Sequence, residues 1–192
     1  GVAERMPVFA YADLRFHPHP APIRKSTSMS GRSRRLVIMA KEPRMGRVKS
    51  RLAKTIGIVP ATMFQRVTLE RLIRDLGSDP RWQTLMAVAP DTAVTSPMLP
   101  PAGRIAQGGG DLGDRMARVF SSFPDDNVLI TGADIPAMTR AHIDRAFRLA
   151  EGHGAVLGPS GDGGYWCVGL RGGLRPPAIF QGVRWSTEHA LE

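Results

Sequence analysis

Leu36-Val37-Ile38-Met39-Ala40 runs directly into Lys41-Glu42-Pro43-Arg44-Met45-Gly46-Arg47-Val48-Lys49-Ser50-Arg51-Leu52. A short apolar run bounded by a proline- and glycine-containing segment reads as a buried strand. The loop behind it is unusual. Between residues 41 and 54 it carries six basic side chains and one acidic one. Core burial needs no such charge at a strand end, so the loop is either an anion site or a solvated basic loop.

Outward from this stretch the chain alternates strands and helices. Residues 61–76 space Phe64, Val67, Leu72, Ile73 and Leu76 as a helix face, with Gly77 as the stop. Leu85–Ala89 reads as a second buried strand ended by Pro90, residues 91–103 as loop, and Arg104–Gln107 as a short third strand. A helix is expected over Asp111–Phe123, with Leu112, Met116, Val119, Phe120 and Phe123 on one side. Val128–Gly132 is the strongest central strand, and Thr139 caps a helix over 140–151 bearing Ile143, Phe147 and Ala150. Ala155–Leu157 and Tyr165–Leu170 complete the strands. The alternation predicts an α/β domain whose mostly parallel sheet is covered on both faces.

Composition narrows the class. The 192 residues, 42% of them hydrophobic, suffice for one domain with a sizeable core. Cys167 is the only cysteine, so no intramolecular disulfide forms, and a cytoplasmic, reducing compartment is expected. No run has the apolar length of a membrane span, and residues 1–35 lack the apolar stretch of a signal peptide. The net charge of +9 is uneven: residues 1–35 contribute +5 and the other 157 only +4. Residues 1–34 therefore read as a flexible basic leader, with His17-Pro18-His19-Pro20 as a proline-spaced tail, and residues 35–192 as the folded domain. Charge alone would permit nucleic-acid binding. No helix-turn-helix, zinc spacing or aromatic-basic interleave accompanies it, and no nucleic-acid partner is expected.

In an open α/β sheet, ligands bind beyond the carboxyl ends of the strands. Three polar elements fall there: the basic loop, Ala133-Asp134-Ile135-Pro136, and Ser160-Gly161-Asp162-Gly163-Gly164. Asp134, held at the end of a rigid strand, either coordinates a hard cation such as Mg²⁺ or accepts backbone hydrogen bonds in a turn. Asp162 carries the same two readings, and Gly163-Gly164 would admit a ligand close to the backbone. Lys49 and Arg51 flank Ser50 near a possible helix start, where amide groups and basic side chains favour phosphate. Lys41 could reach the same anion, while Glu42 reads as a local charge partner. Asp111 caps the next helix, with Arg115 one turn in, and this helix start either contacts a nucleotide or is only a cap. The loop matches neither the Walker pattern nor the G-x-G-x-x-G fingerprint, and no G-x-S-x-G elbow exists. His142 and His153 read as solvated, and Cys167 as buried. Met45 and Trp166 pack either in the core or against substrate.

Four ordered blocks over residues 35–187 now stand together. They are Lys41-x-Pro43-x-x-Gly46-x-Val48-Lys49-x-Arg51-Leu52, Gly110-Asp111-Leu112-Gly113-x-Arg115-Met116, Gly132-x-Asp134-x-Pro136, and Gly158-Pro159-x-x-Asp162-Gly163-Gly164-Tyr165-Trp166-x-x-Gly169-Leu170. Phe180-x-Gly182-Val183-x-Trp185-Ser186 follows them. Together these resemble a bacterial glycosyltransferase-like family often found beside radical-enzyme genes, kin to GT-A nucleotide-sugar transferases and cofactor guanylyltransferases. The resemblance implies a Rossmann-like GT-A three-layer sandwich that binds a nucleotide or nucleotide sugar with Mg²⁺ or Mn²⁺. It implies phosphate contacts from Lys49 and Arg51, the metal-site role for Asp134, and an acceptor or second-metal position for Asp162.

Ser50 stands where that family usually has Thr, and Ala133 and Ile135 where it often has Thr and Cys; the carboxylates are retained. Relatives of that type continue past the Trp-Ser-Thr segment, whereas five residues follow Thr187 here. A shortened C-terminus would fit a homodimer interface or a reduced, inactive member. Three functions follow as expectations: glycosyl transfer from a nucleoside-diphosphate sugar to a small-molecule acceptor; nucleotidyl transfer from GTP or CTP to a phosphorylated acceptor; or a non-catalytic nucleotide-binding scaffold.

Overall fold

Strand β1 (Arg34–Lys41) is the centre from which the fold is laid out. A computed structural model describes residues 31–45, 50–160 and 164–174, with Ser50 and Arg51 described in their backbone only. Residues 1–30 of the expected leader, Gly46, Lys49, the Arg51 side chain, Asp162, Gly163 and the Phe180–Ser186 block lie outside the described residues, while Arg34, placed at the end of that leader, is the first residue of β1.

Side chains alternate along β1 as a pleated strand requires. Leu36, Ile38 and Ala40 enter one apolar cluster, and Val37 enters the other with Met39 packed against it. Leu36, Val37 and Ile38 have no exposed surface, so each contributes about 1.5–3 kcal/mol of burial. The chain continues through α1 (Ser50–Ile56), α2 (Ile58–Gly77), β2 (Gln83–Ala89), a single 3₁₀ turn (Asp91–Thr95) and β3 (Gly103–Ala106). Then come α3 (Leu112–Ser121), β4 (Asn127–Gly132), α4 (Arg140–His153), β5 (Ala155–Pro159) and β6 (Tyr165–Leu170).

Among the described residues, six strands lie in the order β3-β2-β1-β4-β6-β5. β1 pairs parallel with β2 and β4, and β2 pairs parallel with β3. β6 is antiparallel to both β4 and β5, so it alone runs against the others. α2 and α4 bury Leu69, Leu72, Ile73, Leu76, Ile143, Ala146, Phe147 and Ala150 on one face. α3 buries Met116, Val119 and Phe120 on the other. This is the three-layer, Rossmann-like α/β arrangement expected from the alternating pattern.

One helix face differs from the reading of its sequence. α2 begins at Ile58 and buries Ala61, Thr62, Gln65, Thr68, Leu69, Leu72, Ile73 and Leu76. Phe64 and Val67, expected inside, are 44% and 55% exposed. The inward stripe of the first two turns is filled by small and polar residues. Thr62 returns its hydroxyl to the Ile58 carbonyl at 2.8 Å, and Gln65 donates to the Lys41 carbonyl at 3.2 Å. Period alone could not tell this stripe from the apolar one beside it.

Candidate functional site

Strand order reverses between β1 and β4. To one side the sheet runs through β2 and β3, and to the other through β6 and β5. Loops leaving the carboxyl ends of adjacent strands at such a switch diverge to opposite sides and open a crevice. The register places Met39 of β1 opposite Gly132 of β4. Lys41 and Asp134 each lie two residues beyond that pair, at the same sheet edge.

At the end of β1, Lys41 is exposed whereas Glu42 and Pro43 are buried. The Glu42 amide donates to the Ala89 carbonyl at 2.9 Å, extending the sheet by one bond. Its carboxylate pairs with the Arg44 guanidinium. The Ser96 hydroxyl, with Arg44, holds the Glu42 carboxyl below the usual carboxylate range, although burial pushes the other way. Glu42 is therefore the local charge partner its position suggested. It anchors the start of the basic loop to the sheet.

At the end of β4 the chain must turn sharply. A Cβ at Gly132 would lie 3.0 Å from the Asp134 Oδ1 and 3.8 Å from the Ile135 Cδ1. Thus the Asp134 carboxylate folds back over the strand end, in space left by the missing side chain, while remaining exposed to solvent. Ala133 and Ile135 pack against the core and fix the turn on either side. Thr131 donates to the Trp166 carbonyl at 2.8 Å, tying β4 to β6 just below.

The third element arrives by topology. β5 runs in the same sense as β4, so its carboxyl end and the start of β6 reach the same edge. The Ser160 amide donates to the Gly164 carbonyl at 2.8 Å, closing the neck of the turn between β5 and β6. Gly164 thus lies at the neck of that turn. Trp166 is a buried core residue, and its ring lies edge-on to His142 at 6.3 Å. His142 is not solvated as expected. It is half-buried, and its Nδ1 accepts from the Thr139 amide at 3.2 Å to complete the cap of α4. That burial lowers its pKa.

A fourth element was legible only in part. Asp111 accepts from the Asp114 amide at 2.9 Å, and Asp114 accepts from the Asp111 amide at 3.1 Å, forming a reciprocal cap on α3. Arg115 donates to the Gly110 carbonyl at 3.1 Å and to the Gln107 Oε1 at 3.3 Å. Gln107, buried at the end of β3, spans the sheet edge by donating to the carbonyls of Ala40 (3.2 Å) and Ala87 (2.8 Å). Gly110, at φ +90, turns the backbone where a side chain would strike the Asp114 carboxylate. Asp111 and Arg115 therefore hold the glycine loop to the end of β1. Sequence reasoning missed Gln107, because a lone glutamine after a short strand carries no pattern.

The structure brings Lys41, Asp134, Gly164, Asp111 and Arg115 to one edge of the sheet. Among the described residues, no group of three or more His, Cys, Asp or Glu side chains gathers as a ready-made metal cage. The donor set still fits Mg²⁺, which takes one or two carboxylates and completes its octahedron with substrate phosphates and water. The space above Gly132 holds one such carboxylate in place.

Comparison with known proteins agrees with this architecture. A crystal structure from Desulfovibrio desulfuricans G20, of a protein provisionally named a nucleotide-diphospho-sugar transferase, superposes with a TM-score of 0.73 at 28% identity. The match covers 82% of this chain and 71% of that one. A 4-diphosphocytidyl-2C-methyl-D-erythritol synthase structure matches at 13% identity and a TM-score of 0.39, over 62% of this chain and 54% of its own. A search of curated proteins finds no match. A family model matches residues 72–187, more than half of the sequence. By that match the chain belongs to the family described as "uncharacterized protein conserved in bacteria (DUF2064)", and its fold links it to the nucleotide-diphospho-sugar transferases.

Proposed function

We propose that this chain is a metal-dependent glycosyltransferase-like enzyme with a nucleoside-diphosphate sugar as donor, of the radical-enzyme-associated type. One observation carries the reading. The end of β1 that feeds the basic loop, and the Asp134 carboxylate folded over Gly132, meet at the switch point of the sheet. A cationic loop beside a rigidly held carboxylate suits a diphosphate bound together with a divalent cation.

Asp134 would hold Mg²⁺ or Mn²⁺, with Asp162 at the neighbouring hairpin as the second candidate ligand. The ion's contribution when bound is to polarise and neutralise the diphosphate. Lys49 and Arg51, with Lys41 at the strand end, would offset the charge gathering on the departing nucleoside diphosphate as an acceptor hydroxyl attacks the anomeric carbon. The glycine loop held by Gln107, Asp111 and Arg115 would form the wall for the nucleoside. Gly163 and Gly164 would leave the backbone open to the sugar or acceptor.

Thermal shift with a panel of nucleotides and nucleotide sugars, with and without Mn²⁺, tests the reading. Mn²⁺-dependent stabilisation by nucleotide sugars is expected, and Asp134→Asn should remove it. Stabilisation by GTP or CTP alone would replace the reading with nucleotidyl transfer. Affinity without turnover across varied acceptors would leave a binding protein. No stabilisation at millimolar ligand would refute all three.

A further inference from the structure

Asp91 stands just past the carboxyl end of β2, and the fold uses only one of its two carboxylate oxygens. Ala89 pairs with Lys41 in register, so Asp91 lies two residues beyond that pair, at the edge shared by Lys41, Asp134 and the glycine loop. Its Oδ1 accepts from the Gly108 amide at 2.9 Å. The side chain is exposed, and among the described residues it joins no ion pair. Carboxylates elsewhere on the surface answer to arginines. Glu70 meets Arg66, Asp75 meets Arg71, Asp126 meets Arg35, and Asp144 meets Arg34, Arg81 and Arg148. Lys41 is exposed on the neighbouring strand, yet among the described residues it pairs neither with Asp91 nor with another carboxylate. One ammonium and one carboxylate oxygen are thus open to a ligand at the same edge.

The order of the strands decides what each group can meet. Across the edge, from β4 to β3, come Asp134, Lys41, Asp91 and then the loop that begins at Gly108. Adjacent strands lie about 4.8 Å apart, so Asp91 stands roughly 10 Å from the strand that carries Asp134. With a diphosphate at Asp134 and Lys41, the next unit of the ligand comes to Asp91 and the last to the glycine loop. In a nucleoside diphosphate that next unit is the pentose. A carboxylate only accepts hydrogen bonds, and beside a phosphate it repels further anionic groups. Its partner must therefore be a neutral donor, and the two hydroxyls of a ribose are such donors. Oδ1 meanwhile holds Gly108, so the side chain that takes the sugar also fixes the wall beyond it.

We infer that Asp91 binds the ribose of a ribonucleoside diphosphate, its Oδ2 accepting from the 2′ and 3′ hydroxyls, with the base lying toward β3. This role rests on the nucleoside-diphosphate donor proposed above. It adds the pentose the donor carries and the direction in which the nucleotide lies along the sheet.

Calorimetric titration of the full chain in Mn²⁺ tests this, with ADP, GDP, CDP and UDP and then the 2′,3′-dideoxy form of whichever binds. The dideoxy form should bind at least about tenfold more weakly, because it leaves the carboxylate without its donors. Asp91→Ala should erase that preference, bringing the ribose form down to the dideoxy level. Asp91→Asn keeps an oxygen for the Gly108 amide and should shrink the preference, since a hydrogen bond to a charged group is about twice as strong as a neutral one. The position is exposed, so an unchanged melting temperature verifies the fold of both variants. Equal affinity for the two sugars in wild type would overturn this role of Asp91 and leave the nucleotide reading intact. A preference that survives Asp91→Ala would do the same. Failure of every nucleoside diphosphate to bind would remove that reading, and the role of Asp91 with it.

Discussion

Gly132→Ala separates the proposed site from the stability of the sheet that carries it. The new Cβ has two neighbours within 4 Å: the Asp134 Oδ1 at 3.0 Å and the Ile135 Cδ1 at 3.8 Å. The second is an ordinary contact. The first is some tenths of an ångström too close, so the carboxylate must move. Gly132 is not among the positive-φ glycines, so alanine suits the backbone. Replacing a strand glycine stabilises by about 0.5–1 kcal/mol, through the lower entropy of the unfolded chain. Mg²⁺ demands oxygen ligands near 2.0–2.1 Å in nearly ideal octahedral geometry, so a shift of this size at its carboxylate should cost about tenfold in metal-dependent affinity, or about 1.4 kcal/mol. Calorimetric titration of a nucleotide sugar with Mg²⁺, beside thermal unfolding, measures both quantities. The expected variant is as stable as wild type or more so, and binds about tenfold more weakly. Unchanged affinity would refute the argument that the space over Gly132 positions Asp134 for a cation. A large loss of stability would refute the packing that underlies it.

Three further perturbations address other parts of the molecule. Arg104 donates to the carbonyls of Val94 (3.0 Å), Ser96 (2.8 Å), Leu99 (2.9 Å) and Pro100 (3.1 Å), so Arg104→Met should cost about 2–3 kcal/mol in urea unfolding; a loss below half a kcal/mol would deny this arginine its role in holding the 91–103 loop. The Cys167 thiol is buried and its pKa pushed far up by that burial, so a thiol reagent should label it only at the unfolding rate, and rapid labelling of the native protein would contradict its position. His142 has its pKa lowered by burial, so its contribution to stability is complete above the unfolded value near 6.5 and is lost as pH falls through the lower folded value; melting temperature should drop from pH 7.5 to 5, and His142→Gln should flatten that dependence.

How far the fold could be read from sequence follows from how each element is buried. β1, β2 and β4 lie in the middle of the sheet with both faces covered, so they are continuous apolar runs and stand out. α3 and α4 were legible through their caps as much as their stripes, since Asp111 and Thr139 both accept from the third residue onward. α2 was legible as a helix but its orientation was not. Thr62, Gln65 and Thr68 point inward, the Thr62 hydroxyl and the Gln65 amide finding a local and a strand-end carbonyl, whereas Val59, Met63 and Val67 point outward. A hydrophobic pattern reports what one helix could bury. It is silent on which neighbour lies below, and here the neighbour below the first turns is the polar end of β1.

Residues of the site divide along the same line. Asp134 and the basic loop were visible because carboxylates and cations at strand ends have no role in a core, and the strands before them were unmistakable. Gln107 and Ser96 were invisible, and Gly132 was visible only as part of a motif and not in its role, because their importance lies in what they touch across the chain. Gln107 joins β3 to the carbonyls of β1 and β2, the Ser96 hydroxyl steadies Glu42, and Gly132 leaves room for a carboxylate two residues on. These contacts link residues as much as 67 positions apart in the chain. Such residues set the geometry in which the legible ones act. The charge on the loop after β1 would bind an anion weakly and in many poses if the loop were free. On the proposed reading, buried Glu42 pinning its start and the Asp134 carboxylate held over Gly132 at the same sheet edge would make it selective for an anion that brings a divalent cation with it.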